Sequence, residues 1–379
     1  MKPVLVWDAP TRLFHWLFAS CVAAAWLSQD TDRWLSVHVF FGYLMLGLIG
    51  FRLIWGVVGG HYARFASFRY GPLAGLAYLR QMASGTAARH VGHNPAGSQA
   101  VYLLLALGVV TCISGILTMG TEEGQGLAAR WVSIGASGVF KETHRLCAWL
   151  MLLLVIGHLA GVAIESWLHR ENLPRSMVTG AKDAERGTIA SHPHIRVGAM
   201  LAVAVAAFGA WWFFYAVEEH IEARLGVDDG DKGVPHVAFV GRALPDDPLW
   251  REECGACHTP FHPSLLPARS WRQLIDEQDQ HFGIDLGLAP PVRQSLLAFM
   301  TANAAEQGST EAAYRINQSL APDAVPRRIT ETPYWKEKHA RIGDSGWRSP
   351  KVGSRTNCVA CHQDALAGTF EDAAMVIPR

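Results

Sequence analysis

The sequence has little charge. Only 17% of its 379 residues are Asp, Glu, Lys or Arg, whereas globular chains carry about 25%. The shortage is concentrated in the first half of the chain, where long apolar runs alternate with short gaps that hold arginine. A purely soluble enzyme is therefore excluded. There is also no net charge, because 33 Lys and Arg balance 33 Asp and Glu. Nothing in the composition predicts a nucleic-acid partner.

Cysteine is scarce outside two short strings. Four of the seven cysteines belong to Cys-x-x-Cys-His strings in the C-terminal part, which has no apolar run long enough to span a membrane. Thiols at this spacing bond to the two vinyl groups of a haem while the adjacent His ligates its iron. Two such strings disfavour a disulfide or a zinc site and predict two c haems. The attachment cysteines are Cys254, Cys257, Cys358 and Cys361, and the adjacent ligands are His258 and His362.

Five segments are long and apolar enough to cross a bilayer, whose core of about 30 Å needs about 20 apolar residues in a helix. They are 11–28, 34–58, 99–119, 140–168 and 197–217. The first carries Arg12 and His15 and lacks an Ala-x-Ala-like exit. We therefore interpret it as a retained span and not as a cleaved signal peptide.

Basic residues predict the orientation of these spans. The N-terminus and the gaps after the second and fourth spans are rich in Lys and Arg. The other two gaps, with the first residues of the fourth span, hold only Arg33, Arg130 and Lys141. The positive-inside rule places the N-terminus in the cytoplasm and, after five crossings, the C-terminal domain outside. Bacteria attach c haem on that outer side. We expect the bacterial inner membrane, with a periplasmic haem domain.

Four histidines lie inside the apolar segments: His15, His38, His144 and His158. Ionisable residues in spans are functional candidates by default. His144 and His158 are fourteen residues apart on one predicted helix, which is about 21 Å of rise and nearly a whole number of turns. The outer pair would be His38 with His144, and the inner pair His15 with His158. Two bis-His b haems would follow. The alternative is hydrogen bonding to neighbouring helices.

Six further histidines lie in the predicted cytoplasmic gaps, where we expect solvated loop residues. They are His61, His90, His93, His169, His192 and His194.

Residues 1–180 resemble the bacterial cytochrome b561 family, and within it the b-type subunit of nickel-iron hydrogenases. The resemblance implies a four-helix bundle with two b haems and electron transfer linked to the quinone pool. The matching pieces are WDAPTRLFHW at 7–16, His38 followed by Gly42 and Tyr43, FRLIWG at 51–56, YARF at 62–65, and His144 with His158 on one helix.

Each c haem needs a second axial ligand for bis-His coordination. We assign His281 to the first and His339 to the second, with Met300 or Met375 as the competing option. His262 is discounted as a ligand of the first iron, because it lies only four residues beyond His258. Its role stays open. Two other histidines, His220 and His236, are further candidates for the second axial ligand, and we assign neither of them to an iron.

Residues from about 235 onward resemble the dihaem cytochrome c family that donates electrons to small oxygen-binding cytochromes. The resemblance supports His281 and His339 as distal ligands. The matching pieces are CGACH at 254–258, Leu266-Pro267 with Ser270-Trp271, HFG at 281–283, RIT at 328–330 and NCVACH at 357–362.

The expected fold class is all-α, with a membrane four-helix haem bundle, a fifth transmembrane helix, and a mainly helical, loop-rich dihaem cytochrome c domain. Residues 1–180 would form the b-type dihaem membrane domain. Residues 181–234 would hold the fifth transmembrane helix and a tether, and 235–379 the periplasmic dihaem domain.

Three functions fit these features. The first is transfer from quinol through two b haems to two c haems and on to a periplasmic cytochrome or other soluble redox protein, a quinol:cytochrome c oxidoreductase. The second is reduction of a small molecule at a c haem, which would need an open axial position. The third is a membrane anchor and electron-relay subunit of a larger oxidoreductase. As an assembly we expect a homodimer or a larger redox complex. No catalytic residues are expected outside the haem ligands.

Overall fold

The computed structural model describes residues 2–29, 34–225 and 243–378, without the side chains of 215–225 and 373. The chain forms two compact units. Unit 1 consists of Met1–Gly115 and Lys141–Glu218, and unit 2 of Ile116–Phe140 and Glu219–Arg379. The grouping of residues 116–140 with the C-terminal residues is not expected from the sequence. The expected domain boundary at 234/235 lies outside the described residues, as do His236 and the side chain of His220.

Seven α-helices occur in the described part of the first 225 residues. They are α1 Ala9–Leu27, α2 Leu35–Val58, α3 Pro72–Ala83, α4 Pro95–Glu122, α5 Ser137–Leu168, α6 Leu173–Thr179 and α7 Ile195–Leu225. Helix α1 begins where Asp8 accepts a hydrogen bond from the backbone N–H of Thr11 at 3.0 Å, with Pro10 in the first turn.

Four helical segments among the described residues are long and apolar enough to span a membrane: Leu35–Val58, Pro95–Glu122, Ile134–Leu168 and Ile195–Phe214. Helix α1 is shorter, is not among these four, and holds Arg12 and His15. Large apolar side chains on the outer faces of the long helices are exposed, including Leu153, Ile156 and Val203. Apolar surface of this extent needs a non-aqueous surrounding. The protein is therefore a membrane protein with four to five apolar helices.

The core of unit 1 lies between α1, α2, α4, α5 and α7. Its buried side chains include Phe14, Phe18, Leu48, Ile49, Leu105, Met151 and Leu201. The cysteines outside the two strings are also buried, and Cys21 and Cys112 belong to this cluster. They pack as small apolar residues.

A two-stranded antiparallel sheet joins the N-terminus to the segment after α6. Strand β1, Lys2–Leu5, pairs with β2, Ala181–Ala184, with Lys2 opposite Ala184 and Leu5 opposite Ala181. Gly180 ends α6 with φ +83°, and its carbonyl accepts hydrogen bonds from the N–H groups of Val6 and Trp7. A Cβ at this position would lie 2.6 Å from the carbonyl oxygen of Trp7. The left-handed backbone and the close approach both favour glycine.

The C-terminal part of unit 2 consists of short helices joined by turns and loops. They are α8 Pro248–Gly255, α9 Ala268–Asp276, α10 Pro290–Ala302, α11 Glu311–Ser319, α12 Pro333–Lys338 and α13 Asp344–Trp347. Its main hydrophobic cluster is formed by Trp250, Leu266, Trp271, Leu274, Ile275, Leu296 and Met300. The expected fold class, all-α with membrane helices followed by a helical, loop-rich domain, is confirmed.

Within unit 2, polar contacts join the end of α4 to residues of the C-terminal part. Arg315 Nη2 donates to Glu122 Oε1 at 2.8 Å, and the backbone N–H of Asp372 donates to Glu123 Oε2 at 3.1 Å. Both glutamates are buried. A charge-assisted hydrogen bond in a buried position is stronger than one on the surface. These contacts explain why residues 116–140 group with the C-terminal residues.

Glu371 lies buried beside these carboxylates, and neither of its side-chain oxygens has a hydrogen-bond partner among the described residues. Burial, together with the charge of Glu123, raises the pKa of Glu371 to about 10. The folded protein therefore holds this proton more tightly than the unfolded chain does. The stabilisation is complete below the ordinary pKa of 4.5 and is lost as the pH rises towards about 10.

We expect Glu371→Gln to make stability less dependent on pH. In the native chain this one group removes up to about 1.4 kcal/mol of unfolding free energy per pH unit above its ordinary pKa, whereas glutamine does not titrate. Thermal unfolding at pH 5, 7 and 9, followed by circular dichroism, measures the difference. The exposed Glu337→Gln is the control. Equal pH slopes in the native chain and the Glu371 variant would contradict the prediction.

Candidate haem-binding sites

The histidines predicted to ligate haem lie together as four pairs of rings. The ring centroids are 6.4 Å apart for His15–His158, 5.9 Å for His38–His144, 6.5 Å for His258–His281 and 6.1 Å for His339–His362. A metal–imidazole bond is about 2 Å, so an iron with one ring on each side needs centroids roughly 6 Å apart. Each pair therefore fits one haem iron, and the assignment of these residues as ligands stays a prediction.

Backbone carbonyls orient both rings of the His38–His144 pair. His38 Nδ1 lies 2.9 Å from the oxygen of Ala25, and His144 Nδ1 lies 2.8 Å from the oxygen of Thr111. When Nδ1–H donates to a carbonyl, Nε2 is the nitrogen that can ligate a metal. Gly115 on α4 gives His144 room, since a Cβ there would lie 3.0 Å from the ring. Helices α1, α2, α4 and α5 thus all shape this pair.

The His15–His158 pair lies between α1 and α5. The Nδ1 atom of His15 is enclosed and has no hydrogen-bond partner among the described residues. The ring of Trp16 packs edge-on against His15, with centroids 5.1 Å apart. Packing holds this ring, whereas hydrogen bonds hold His38 and His144.

The His258–His281 pair joins the first Cys-x-x-Cys-His string to a tight turn. The His258 ring stacks on Phe261, and its Nδ1 lies 2.8 Å from the carbonyl oxygen of Thr259. His281 is followed by Phe282 and Gly283, with φ values of +51° and +92°. A positive φ is unfavourable for phenylalanine. Arg328, 4.3 Å from the Phe282 ring centroid, packs over this strained turn.

The His339–His362 pair joins the end of α12 to the second string. His339 Nδ1 lies 2.8 Å from the carbonyl oxygen of Trp335, and its ring stacks on the Trp335 indole with centroids 4.3 Å apart. The backbone of His362 pairs with that of Met375, and its ring packs against Phe370. Burial lowers the pKa of both histidines. They are therefore neutral at pH 7 and able to ligate a metal.

The choice between methionine and histidine as distal ligands stays a prediction, whereas His262 has a role of its own. Met300 is buried in the hydrophobic cluster of unit 2, and Met375 forms a backbone bridge. His262 is buried, with Nδ1 2.9 Å from Ser264 Oγ and Nε2 3.1 Å from the carbonyl oxygen of Pro245. Both of its ring nitrogens are engaged, so His262 holds its loop together. The sequence did not indicate this role, because Pro245 is seventeen residues away.

The expectation of solvated loop histidines is wrong for His93. Its ring lies 4.1 Å from that of Phe68 and 4.8 Å from that of Trp7, measured between centroids, and its Nδ1 is enclosed. Burial lowers the pKa of His93 to about 3, so the imidazole is neutral. His192, in contrast, is exposed as expected.

Two family models match the chain. Residues 6–180 match the model described as prokaryotic cytochrome b561, and residues 250–370 match that of dihaem cytochrome c. The match in each case covers the His pairs assigned to that type of haem.

Similar proteins exist for both parts. A probable Ni/Fe-hydrogenase B-type cytochrome subunit of Azotobacter chroococcum is 26% identical over 211 residues, which are 47% of this chain and 87% of that protein. The probable Ni/Fe-hydrogenase 1 B-type cytochrome subunit of Escherichia coli K12 is 22% identical, over 49% of this chain and 93% of that protein. The solved diheme cytochrome c of Rhodobacter sphaeroides is 38% identical and covers 34% of this chain and 100% of its own, with a TM-score of 0.31.

The membrane helices, the paired histidines, the two attachment strings and the two family matches agree. The chain is a membrane electron-transfer cytochrome in which a haem b-binding region of the prokaryotic cytochrome b561 family, residues 6–180, is joined to a haem c-binding region of the dihaem cytochrome c family, residues 250–370.

Proposed function

We propose that this protein transfers electrons from membrane quinol to a soluble periplasmic redox protein. Two b haems and two c haems, when bound, supply the one-electron chemistry. The proposed b-haem ligands are His15, His38, His144 and His158. The proposed c-haem attachment residues are Cys254, Cys257, Cys358 and Cys361, with His258, His281, His339 and His362 as ligands. The observation that carries this proposal is the four ring pairs, with centroids between 5.9 and 6.5 Å apart.

The contacts of unit 1 support α1 as a membrane span. Strands β1 and β2 are hydrogen-bonded, so the N-terminus and the segment after α6 lie on one side of the membrane. Between them the chain passes through α1, α2, α4 and α5. Because α2, α4 and α5 have the length and apolarity of spans, a return to the same side requires a fourth crossing, which α1 provides.

Contacts between the loops support the same topology. Lys182 Nζ donates to the carbonyl of His90 at 3.0 Å, and Arg89 pairs with Glu171. The gap before α4 therefore lies on the same side as the segment after α5. The opposite side holds residues 116–140, which group with the C-terminal residues. With α7 as the fifth span, the excess of basic residues favours the cytoplasm for the first side and the periplasm of a bacterial inner membrane for the second.

Backbone carbonyls select the nitrogen that can ligate iron in three of these rings, and burial keeps three of the c-haem imidazoles neutral. The carbonyls of Ala25, Thr111 and Trp335 accept from Nδ1 and leave Nε2 for the metal. Burial lowers the pKa of His281 as well as those of His339 and His362. Two imidazoles per iron leave no open axial position, which disfavours reduction of a small molecule.

The similar hydrogenase subunits support a second candidate function, a membrane anchor and relay subunit of a larger redox complex. The periplasmic donor or acceptor would then be a subunit of that complex and not a diffusing protein. Size measurement of the protein solubilised in mild detergent separates the two candidates, because a permanent complex remains associated after extraction.

The haem ratio tests the proposal. We expect equal amounts of b and c haem, so acid–acetone extraction should remove half of the haem and leave half covalently bound. Replacing Cys254 and Cys257 by serine should lower the covalent share to about one third, because one of the two attachment strings is lost. A native ratio far from one to one would contradict the proposal. The unchanged b-haem content of the serine variant is the internal control.

A further inference from the structure

Helix α2 carries a buried arginine, Arg52, and one nitrogen of its side chain lacks a hydrogen-bond partner among the described residues. Arg52 is 3% exposed, and its Nη1 atom has no partner among the described residues. Its guanidinium carbon lies 4.6 Å from the centroid of the Phe65 ring. Asp8 favours the cation electrostatically, but its oxygens accept hydrogen bonds from Thr11 N and Trp55 Nε1. An arginine in a membrane helix is expected to have an anionic or carbonyl partner.

The position of Arg52 on α2 indicates where that partner lies. Arg52 follows His38 by fourteen residues, as His158 follows His144 on α5. Fourteen residues give about 21 Å of rise and nearly a whole number of turns. In both α2 and α5, the chain runs from the level of the His38–His144 pair towards the same side of the bundle. Arg52 therefore lies at about the depth of the His15–His158 pair and near the face of α2 that bears His38.

His93 is a second enclosed group at this depth. Its Nδ1 has no hydrogen-bond partner among the described residues. Arg52 and His158 both interact electrostatically with His93, as does Lys182. Lys182 is already paired with Glu171, so the region beside the His15–His158 pair offers the guanidinium of Arg52 and an unused ring nitrogen. This combination suits a carboxylate.

We propose that Arg52, with His93 beside it, binds a propionate carboxylate of the haem held between His15 and His158. This inference rests on the proposed function, which places a b haem at that pair. A b haem has no covalent bond to the chain, and its two propionates are anions that need partners in a medium of low dielectric constant. Guanidinium is suited to this role, because its planar donors match the two oxygens of a carboxylate.

A cation at this place favours the reduced haem, since reduction removes one positive charge from the iron. Arg52→Gln should therefore lower the midpoint potential of this b haem. We expect roughly a tenfold change in its reduction equilibrium, which is about 59 mV for one electron. Arg52→Lys keeps the charge and should restore most of the potential. The exposed Arg80→Gln on α3 is the matched control and should change neither b-haem potential.

The experiment is a redox titration of the full-length protein in detergent, with haem content measured in each variant. Combining Arg52→Gln with His38→Ala leaves the haem of the His15–His158 pair as the sole b haem and identifies the shifted potential. Loss of this haem in Arg52→Gln, with retention in Arg52→Lys, would equally support the site.

Two results would overturn the inference. One is an unchanged potential in Arg52→Gln with both b haems bound. The other is an equal effect of Arg52→Gln and Arg52→Lys on the potential and the content of this haem, because the positive charge at position 52 would then not matter for either. A different result would contradict the proposed function itself. If His158→Ala kept two b haems, no b haem would be held at that pair, whatever the effect of the Arg52 substitutions.

Discussion

His158→Ala is expected to lose one of two b haems, and His144→Ala the other. The two residues lie on α5 about 21 Å apart, and each faces a different ring, His15 and His38 respectively. Removing one axial ligand leaves a non-covalent haem with a single bond to the chain, which is expected to release it. The c haems should remain in both variants, because thioether bonds at the attachment cysteines hold them.

The haemochrome spectrum of each purified variant measures the loss, as a fall from equal b and c haem to about half as much b haem. His192→Ala is a matched control, since this histidine lies in a loop and is exposed. If either single change removed both b haems from a folded protein, the two-level arrangement would be wrong. Retained helicity and retained c haem identify a folded protein.

The histidine pairs could be predicted because helix geometry converts spacing along the chain into depth. Because His144 and His158 are fourteen residues apart on one helix, they must lie at two depths in the membrane. The positions of His38 and His15 near the ends of their own spans then match each of them to one of these depths. The same spacing between His38 and Arg52 is visible in the sequence. Its meaning appears only when Arg52 is seen to be buried with an unpartnered nitrogen.

Other features depend on contacts that hydropathy does not report. The strands β1 and β2 are four residues each and pair across almost 180 positions. Residues 116–140 join unit 2 through pairs such as Arg315 with Glu122, 193 residues apart. Helix α4 begins at Pro95, ahead of the apolar run, because Asn94 accepts a hydrogen bond from the N–H of Gly97. Such pairings need the folded chain.

His38→Ala is expected to slow the reduction of the c haems by quinol to a small fraction of the native rate. Quinol moves within the bilayer, whereas the attachment strings lie in the C-terminal part, proposed to be periplasmic. A carrier at the end of the helices that is proposed to face the periplasm must connect them. The His38–His144 pair is at that end, since His144 follows residues 116–140 directly along the chain. Removing the His38 ring removes one of the two imidazoles that hold the carrier.

Reduction by dithionite distinguishes a loss of electron transfer from damage to the c haems, because this small reductant reaches the c haems directly from water. The His38 variant should therefore be fully reduced by dithionite and only slowly by quinol, in a stopped-flow experiment at the c-haem wavelength. His61→Ala, in the loop on the opposite side, is the control and should match the native rate. If the His38 variant lacked its b haem yet reduced its c haems with quinol at the native rate, electrons would enter elsewhere. The proposed order of transfer, from membrane pair to attachment strings, would then be wrong.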